Sequence, residues 1–208
     1  MVWTAVSCDG GRITKCDECA ARTGTQIEIK NLFYNTPVRQ KYLKADTTEF
    51  QHVLEFMTAA ALSHPWVSFK LVHNGKMILD LPAGQSMLDR IRYVLGRETA
   101  DNVIPVFDAG ISMKIEGYVG KPVVASSYRD NQYIFVNRRY VGNPAIAFAV
   151  KDSFKSLIPD GKYPLFVLNI EIDPTQVDVN VHPRKAEIRF LNQREIFKKV
   201  HDAVLASL

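Results

Sequence analysis

The chain has 208 residues, 47% of them hydrophobic, and can therefore bury the core of one large domain or of two small ones. No apolar run approaches the length of a membrane span, and the first residues lack the basic start and apolar stretch of a signal peptide, so we expect a cytoplasmic protein with no membrane partner. A formal net charge of +4 permits a polyanionic partner without requiring one.

The first third of the chain carries two strand patterns. Residues 2–8 form a short apolar run, and Gly10-Gly11 predicts a turn that leads into a polar connection. Residues 25–33 alternate between apolar and polar positions, which predicts a second strand, and Gly24 allows a tight backbone approach at its start.

All three cysteines lie within the first twenty residues. Cys16 and Cys19 have the spacing of a metal or redox pair, but no second pair follows, and the first histidine is distant at His52. We therefore expect free thiols and no metal site.

A short basic helix is predicted next. Thr36 precedes Pro37 as a helix start requires, because the proline ring suits the first turn. Arg39, Lys41 and Lys44 then crowd this helix, and a solvated face explains three cations as readily as a phosphate-binding patch does.

A longer helix follows, for which Asp46 or Thr47 is a candidate cap and Glu49 could close a capping box. Its apolar residues recur at steps of three and four, which predicts a stripe that faces the core. That stripe comprises Phe50, Val53, Leu54, Met57 and Ala61.

A hairpin and a domain boundary are predicted after this helix. Strands at 66–73 and 77–81 flank Asn74-Gly75, a strong signal for a two-residue turn. Proline and glycine then occur in quick succession within 81–85, where we place the boundary between a first domain, 1–82, and a second, 86–208.

The second domain mixes helices and strands, so we expect an α+β fold. Helices are predicted from Ser86 to Gly96, from Asn143 to about residue 157, and from Asn192 to near the end of the chain. Strands are predicted at 103–107, 111–119, 132–136 and 163–172, and the apolar middle of 132–136 indicates burial on both faces.

The stretch QVDVNVHPRKAEIRF, residues 176–190, concentrates charged groups at one strand end. Valines alternate with polar residues until Pro183 stops the strand, Lys185 stands just beyond the turn, and a second alternating run follows as a return strand or a strand extension. A lysine there is either a solvated surface charge or a mobile cation that reaches a neighbouring site.

Three blocks carry a family resemblance that spans nearly the whole chain: GTQIEIKNLFYNTPVRQKYL, QYIFVNRRYV and QVDVNVHPRKAEIRF. In this order they resemble the N-terminal region of MutL-type DNA mismatch-repair proteins, which pair a GHKL-superfamily ATPase with a transducer domain. The resemblance implies the end of an ATPase α/β sandwich in 1–82, followed by a transducer in 86–208 that is similar to the second domain of gyrase B and to a ribosomal-protein domain.

The resemblance also assigns roles to residues of this chain. Lys185 matches the transducer lysine that reaches the γ-phosphate of ATP, and Gly24 with Thr25 matches the last ATPase motif near the nucleotide. Arg139 matches an arginine that faces the DNA groove. Arg138 stands where the family has glycine and adds a second cation, while Arg39, Lys41 and Lys44 are weaker candidates for the same groove.

The motifs that hold magnesium, adenine and the phosphate lid in this family do not occur in the sequence. We therefore expect ATP and magnesium to serve the complete protein and this chain alone to bind neither and to hydrolyse no ATP. We also expect the first domain to expose apolar surface or an unpaired sheet edge that invites self-association.

Three hypotheses remain open at this point. The first is a segment of a mismatch-repair ATPase that binds the DNA backbone without sequence preference, forms a homodimer in the complete protein and works with a MutS-like mismatch-recognition partner. The second is a freestanding nucleic-acid-binding module, and the third is an interaction scaffold without nucleotide chemistry.

Overall fold

The computed structural model describes residues 3–178 and 188–208, and the chain forms two compact units, Met1–His52 and Val53–Leu208. The division between them falls within one helix, Asp46–Ser63.

The first unit begins with an antiparallel hairpin of β1 (Trp3–Asp9) and β2 (Arg12–Cys19). Gly10 and Gly11 join the strands with φ angles of 56° and 89°, which an L side chain rarely adopts. The predicted first strand and turn are confirmed, but the expected polar connection is in fact β2. It was missed because both strands are almost entirely exposed, so no apolar face produces an alternating pattern.

The strand predicted at 25–33 does not form, which corrects that expectation. Residues 25–30 hold no ladder hydrogen bonds, and 31–35 form turns in which Asn31 and Phe33 have positive φ. Ile27 and Ile29 remain 78% and 74% exposed. An alternating pattern becomes a strand only beside a partner strand, and no described residue pairs with this segment.

Two helices follow, α1 (Pro37–Lys41) and α2 (Asp46–Ser63), as predicted. The Glu49 carboxylate accepts a hydrogen bond from the Lys44 backbone N–H. This bond resembles the one in a capping box, but its donor is Lys44 and not the expected cap Asp46 or Thr47. The predicted core stripe is confirmed in part, because Ala61 is buried and Phe50, Leu54 and Met57 are half-buried, whereas Val53 is 47% exposed and full burial is confined to the last turns. The buried residues of α2 are Thr58, Ala59, Ala61, Leu62 and Ser63.

Exposed apolar surface in the first part of the chain is confirmed. Large apolar side chains stand in solvent on the hairpin, the extended segment and α1. They include Ile13, Ile27, Ile29, Val38 and Tyr42.

The second unit contains the predicted hairpin, β3 (Phe69–His73) and β4 (Lys76–Leu81). Asn74 and Gly75 have φ angles of 49° and 75°, the left-handed pair that a tight hairpin turn requires. The first strand starts three residues later than predicted.

A five-stranded sheet forms the centre of this unit, in the order β5-β6-β9-β7-β8. All neighbours are antiparallel except β7 and β9. The strands are β5 (Val103–Ala109), β6 (Met113–Gly120), β7 (Gln132–Val136), β8 (Arg139–Tyr140) and β9 (Phe166–Ile172). The two-residue β8 was not predicted, because it is too short for a pattern.

Four helices accompany the sheet: α3 (Met87–Leu95), α4 (Arg97–Asp101), α5 (Pro144–Ser153) and α6 (Gln193–Leu205). The helices predicted to begin at Ser86, Asn143 and Asn192 are confirmed, and each of these residues accepts a capping hydrogen bond, but α5 ends at Ser153 and not near residue 157. Short 3-10 turns lie at Pro122–Val124 and Pro174–Gln176, and β10 (Val177–Asp178) pairs antiparallel with β11 (Arg189–Phe190).

Side chains from alternate strand positions build a core on each face of the sheet. Ile134 and Val136 of β7 join a large cluster with α5 and α6, while Phe135 joins a smaller one with α3 and the end of α2. The burial of β7 on both faces, predicted from its continuous apolar run, is confirmed.

Candidate nucleic-acid interface

The turn between β7 and β8 carries the arginines that the resemblance selects. Asn137 and Arg138 have φ angles of 49° and 66°, so both central residues are left-handed, as in a type I′ turn. The Asn137 side chain ties the turn to the end of β9, because its amide donates to the Ile172 carbonyl at 2.9 Å and its oxygen accepts from the Ile172 N–H at 2.9 Å. The turn is therefore held firmly at the end of the sheet.

Arg138 is engaged by the protein itself. Its backbone N–H donates to Asn169 Oδ1 at 3.1 Å, and its Nη2 lies 3.3 Å from Glu171 Oε1 and 4.0 Å from Glu116 Oε1. The guanidinium also lies over the Trp66 ring, 4.8 Å from the centroid. Two carboxylates and an aromatic face thus compensate the cation that replaces the family's glycine.

A lysine completes this network. Lys114 Nζ lies 2.6 Å from Glu116 Oε2 and 3.8 Å from Glu171 Oε2, so two cations share two carboxylates. Burial acts to raise the pKa of Glu116, but the hydrogen bond from Lys114 and the charges of Lys114 and Arg138 outweigh it and hold that pKa below its ordinary value. The same hydrogen bond raises the pKa of Lys114.

Arg139 lies on the opposite face of the sheet from Arg138. It is paired with Val136, and directly opposed residues of an antiparallel pair share a face. Val136 packs in the core beside α5 and α6, whereas the Arg138 side chain lies beside Trp66. Arg139 is exposed and forms no ion pair or side-chain hydrogen bond within residues 3–178 and 188–208.

An open pocket of about 530 Å³ lies beside the turn. Its charged lining is mixed, with Lys114 and Arg138 against Glu171 and Asp173. These opposite charges largely cancel, so the pocket offers an anion little net attraction.

The other predicted cations lie in the first unit. Arg39 and Lys41 occupy the last turn of α1, and Lys44 lies in the connection before α2. All three are exposed, which fits both a solvated helix face and a phosphate-binding patch.

The predicted nucleotide contacts are only partly described by the structure. Gly24 has a φ of 140°, which favours glycine, and Thr25 is exposed and lies outside any helix or strand. Lys185 and the proline turn before it lie outside the described residues.

The three cysteines are free thiols, as expected. Cys8 and Cys16 are free and exposed, Cys19 is free and half-buried, and no group of three or more metal-binding side chains was found there. No helix of the described chain combines the length and apolar character needed to span a bilayer.

The sequence reasoning missed the acidic partners of Arg138. Glu116 and Glu171 lie on neighbouring strands, β6 and β9, in which the other face is apolar. The sequence offered one signal for them, namely charged residues at alternate positions of two predicted strands. Such residues indicate partners of opposite charge on a neighbouring strand.

Comparison with known proteins identifies related chains. A family model described as "DNA mismatch repair protein, C-terminal domain" matches residues 91–208. The MutL mismatch repair protein of Clostridium botulinum is 41% identical over 203 residues, which cover 98% of this chain and 30% of that protein. The MutL protein of Christiangramia forsetii is 37% identical over 207 residues, 100% of this chain and 33% of the relative. The chain thus spans about a third of the length of these relatives.

Solved structures share the fold. The N-terminal domain of a DNA repair protein superposes with a TM-score of 0.82 at 23% identity, covering 98% of this chain and 67% of that one. The Aquifex aeolicus MutL ATPase domain complexed with ADP gives a TM-score of 0.61 at 26% identity, over 81% of this chain and 61% of the other. The B subunit of the DNA gyrase from Myxococcus xanthus superposes with a TM-score of 0.52 at 12% identity, covering 99% of this chain and 65% of that one. The expected α+β fold is confirmed, and it is similar to that of the Aquifex aeolicus MutL ATPase domain and, at lower identity, to that of gyrase B.

Proposed function

This chain belongs to the DNA mismatch repair protein family, and from that premise we propose that it is the segment of a MutL-type repair ATPase that senses bound nucleotide and contacts the DNA backbone. In this proposal residues 1–82 form the C-terminal part of the ATPase domain and 86–208 form the transducer. The complete protein forms a homodimer, works with a MutS-like mismatch-recognition protein and uses ATP with magnesium.

The observation that carries the DNA contact is the contrast between the two arginines of the β7–β8 turn. Glu116 and Glu171 already neutralise Arg138, whereas Arg139 is exposed and has no carboxylate partner in the described part of the chain. A cation that is held on a fixed turn and left uncompensated is suited to a backbone phosphate, which provides affinity without sequence preference. Arg138 then serves mainly to hold the turn, and Arg39, Lys41 and Lys44 remain further candidate contacts.

Replacement of Arg139 tests this contact. We expect Arg139→Glu to weaken binding of a DNA duplex by the complete protein about tenfold or more at about 50 mM salt, and to reduce the slope of log K against log salt by about 0.9, the value for one phosphate contact. Fluorescence anisotropy titrations at several salt concentrations measure both quantities.

Arg97→Glu is a matched control, because Arg97 is another exposed arginine, on α4. A titration of the Arg139 variant that superimposes on that of the unmodified protein would remove Arg139 from the interface.

The nucleotide-sensing role is proposed for Lys185, with Gly24 and Thr25 near the phosphates. It is supported by the family membership and by the ADP found in the related Aquifex aeolicus ATPase domain. A lysine that meets the γ-phosphate only while that phosphate is present would couple nucleotide state to domain orientation.

We expect Lys185→Ala to abolish the protection from limited proteolysis that a non-hydrolysable ATP analogue confers on the complete protein, because closure would lose its charge-assisted contact. Lys198→Ala, at an exposed position on α6, is the control. Equal protection of the Lys185 variant and the unmodified protein would favour the scaffold hypothesis instead.

A further inference from the structure

A second group of cations converges on Tyr163, far along the chain from the β7–β8 turn. The Arg129 guanidinium lies 4.9 Å and the Lys151 ammonium 4.3 Å from the centroid of the Tyr163 ring. We call Arg129, Lys151 and Tyr163 the Tyr163 cluster. The adjacent Lys162 donates from its Nζ to Ser127 Oγ at 2.9 Å and is not among the cations that contact the Tyr163 ring.

The backbone holds these side chains together from three segments. Ser126 and Tyr163 exchange backbone hydrogen bonds of 3.0 and 2.7 Å, which fixes the loop before β7 against the residues that lead into β9. The Ser126 hydroxyl accepts from the Tyr128 N–H at 3.0 Å and so shapes the next turn of the loop. Lys151 comes from the last turn of α5.

The cations of the cluster have no salt bridge in the described chain. Arg129 and Lys151 form no ion pair with any carboxylate in residues 3–178 and 188–208. Each has an aspartate as its chain neighbour, Asp130 and Asp152, and Asp152 Oδ2 lies 3.7 Å from His201 Nε2. A bound anion would relieve the repulsion between two cations that lack such a pair.

The two cations also lower the pKa of Tyr163. The hydrogen bond with Arg129 and the charges of Arg129 and Lys151 hold the pKa of Tyr163 below its ordinary value. Beside the cluster, Tyr128 is 76% exposed and so presents an open aromatic ring to solvent.

We propose that the Tyr163 cluster binds the phosphate backbone of single-stranded DNA, with Tyr128 placed to stack on a neighbouring base. Proteins that bind single strands combine cations, which contact the phosphates, with exposed aromatic rings, which stack on the bases. The bases of a single strand are available for such stacking because they are not paired inside a duplex. This inference rests on the proposed DNA-binding function and adds a second contact to it.

The test compares two double variants of the 208-residue chain, each of which loses one arginine and one lysine. Arg129→Gln with Lys151→Gln alters the cluster, and Arg97→Gln with Lys198→Gln removes an exposed arginine and an exposed lysine from elsewhere in the second unit. Anisotropy titrations use a fluorescein-labelled oligothymidylate of about 20 nucleotides over a range of salt concentrations.

We expect the cluster variant to reduce the slope of log K against log salt by about 1.4, which is about 0.7 for each of two lost phosphate contacts on a single strand, and the control variant to leave it unchanged. Tyr128→Ala is expected to weaken binding about tenfold with little change in the salt slope, since it removes stacking and no charge. Circular dichroism and thermal melting verify that each variant is folded.

Four results would overturn the inference. The first two are equal slopes for the two double variants and a loss of binding seen with duplex but not with the single strand. The third is competition by inorganic tripolyphosphate as strong as that by unlabelled oligonucleotide, which would indicate a site for free phosphate. The fourth is failure of the chain to bind the oligonucleotide at all.

Parallel titration of the Arg139→Glu variant of the chain with duplex separates the two proposals. An effect at Arg139 with none at the cluster refutes only the second contact. The reverse result removes Arg139 from the proposed function and supports the cluster.

Discussion

Arg138 shows how one side chain can compensate an unfavourable backbone conformation. A left-handed φ costs an L residue about 1–2 kcal/mol, so glycine is favoured at this turn position. The contacts of Arg138 with Glu171, Glu116 and Trp66 offset that cost, and the turn keeps the same pair of left-handed residues that glycine would permit. The arginine added at this position therefore strengthens the sheet end more than it adds to a phosphate-binding surface.

The Glu116 carboxylate should make the stability of this network depend on pH. Its pKa in the folded chain lies below the ordinary value of 4.5, so its stabilising effect is present above that value and disappears as the pH falls through the lower, folded pKa. We expect Glu116→Gln to reduce the free energy of unfolding by about 0.5–1 kcal/mol at about pH 7 and by less at about pH 3, because the carboxylate becomes protonated as the pH falls. Urea titrations at both pH values measure the difference.

Glu98→Gln, at an exposed position on α4, is the control, and we expect it to change stability little at either pH. The same loss of stability at both pH values for Glu116→Gln would show that its charge does not stabilise the fold.

Among the elements, helix starts were predicted more reliably than the apolar stripe of α2 and the strand at 25–33. Ser86, Asn143 and Asn192 were chosen from a few adjacent residues, and each caps its helix, because a cap bonds the backbone two or three residues ahead. The stripe on α2 and the strand at 25–33 depend on partners distant in sequence, and local pattern carries no information about whether these are present.

Replacement of the cap residue Asn143 tests how much a buried helix cap stabilises the chain. Its Oδ1 accepts from the N–H groups of Ala145 and Ile146, both at 3.1 Å, and the residue is buried. We expect Asn143→Ala to destabilise the chain by about 1–2 kcal/mol, because one buried and one half-buried N–H donor would lose their acceptor. Urea denaturation measures this change.

Asn192→Ala is the comparison, since that cap is exposed and water can replace its hydrogen bond with Glu195. We expect a cost below about 1 kcal/mol there. Equal losses in the free energy of unfolding for the two variants would show that burial does not increase the contribution of the Asn143 cap.

At the scale of the whole molecule, Arg90 joins segments on both sides of the boundary predicted at 81–85. This fully buried residue of α3 donates from Nη2 to the carbonyls of Pro65, Val67 and Pro82, at 2.7, 2.9 and 3.0 Å. Its Nε and Nη1 have no partner in the described structure, and burial lowers its pKa. The hairpin and α3 thus belong to one compact unit, Val53–Leu208, although the two predicted domains separate them.

We expect Arg90→Met to destabilise the second unit by about 3 kcal/mol, since the carbonyls of Val67 and Pro82 would lose charge-assisted bonds, and to make residues 65–85 more susceptible to thermolysin. Denaturation and mass spectrometry of the cleavage products measure the two effects.

Arg92→Met is the control, because Arg92 is exposed and pairs with Asp89 and Asp101 at 3.4 Å. We expect it to cost less than about 1 kcal/mol. A similar cost for the two arginine variants would show that Arg90 does not join these segments.

The sequence by itself determined the family, the α+β class, most strands of the central sheet and the helix caps, because these depend on local periodicity, capping geometry and ordered motifs. Only the tertiary structure decided that Arg138 is paired while Arg139 is free of carboxylates in the described chain, and that Lys151 meets Arg129 across Tyr163. The physical reason is that charge compensation acts through space, between residues that strand pairing and helix packing bring together from distant parts of the chain.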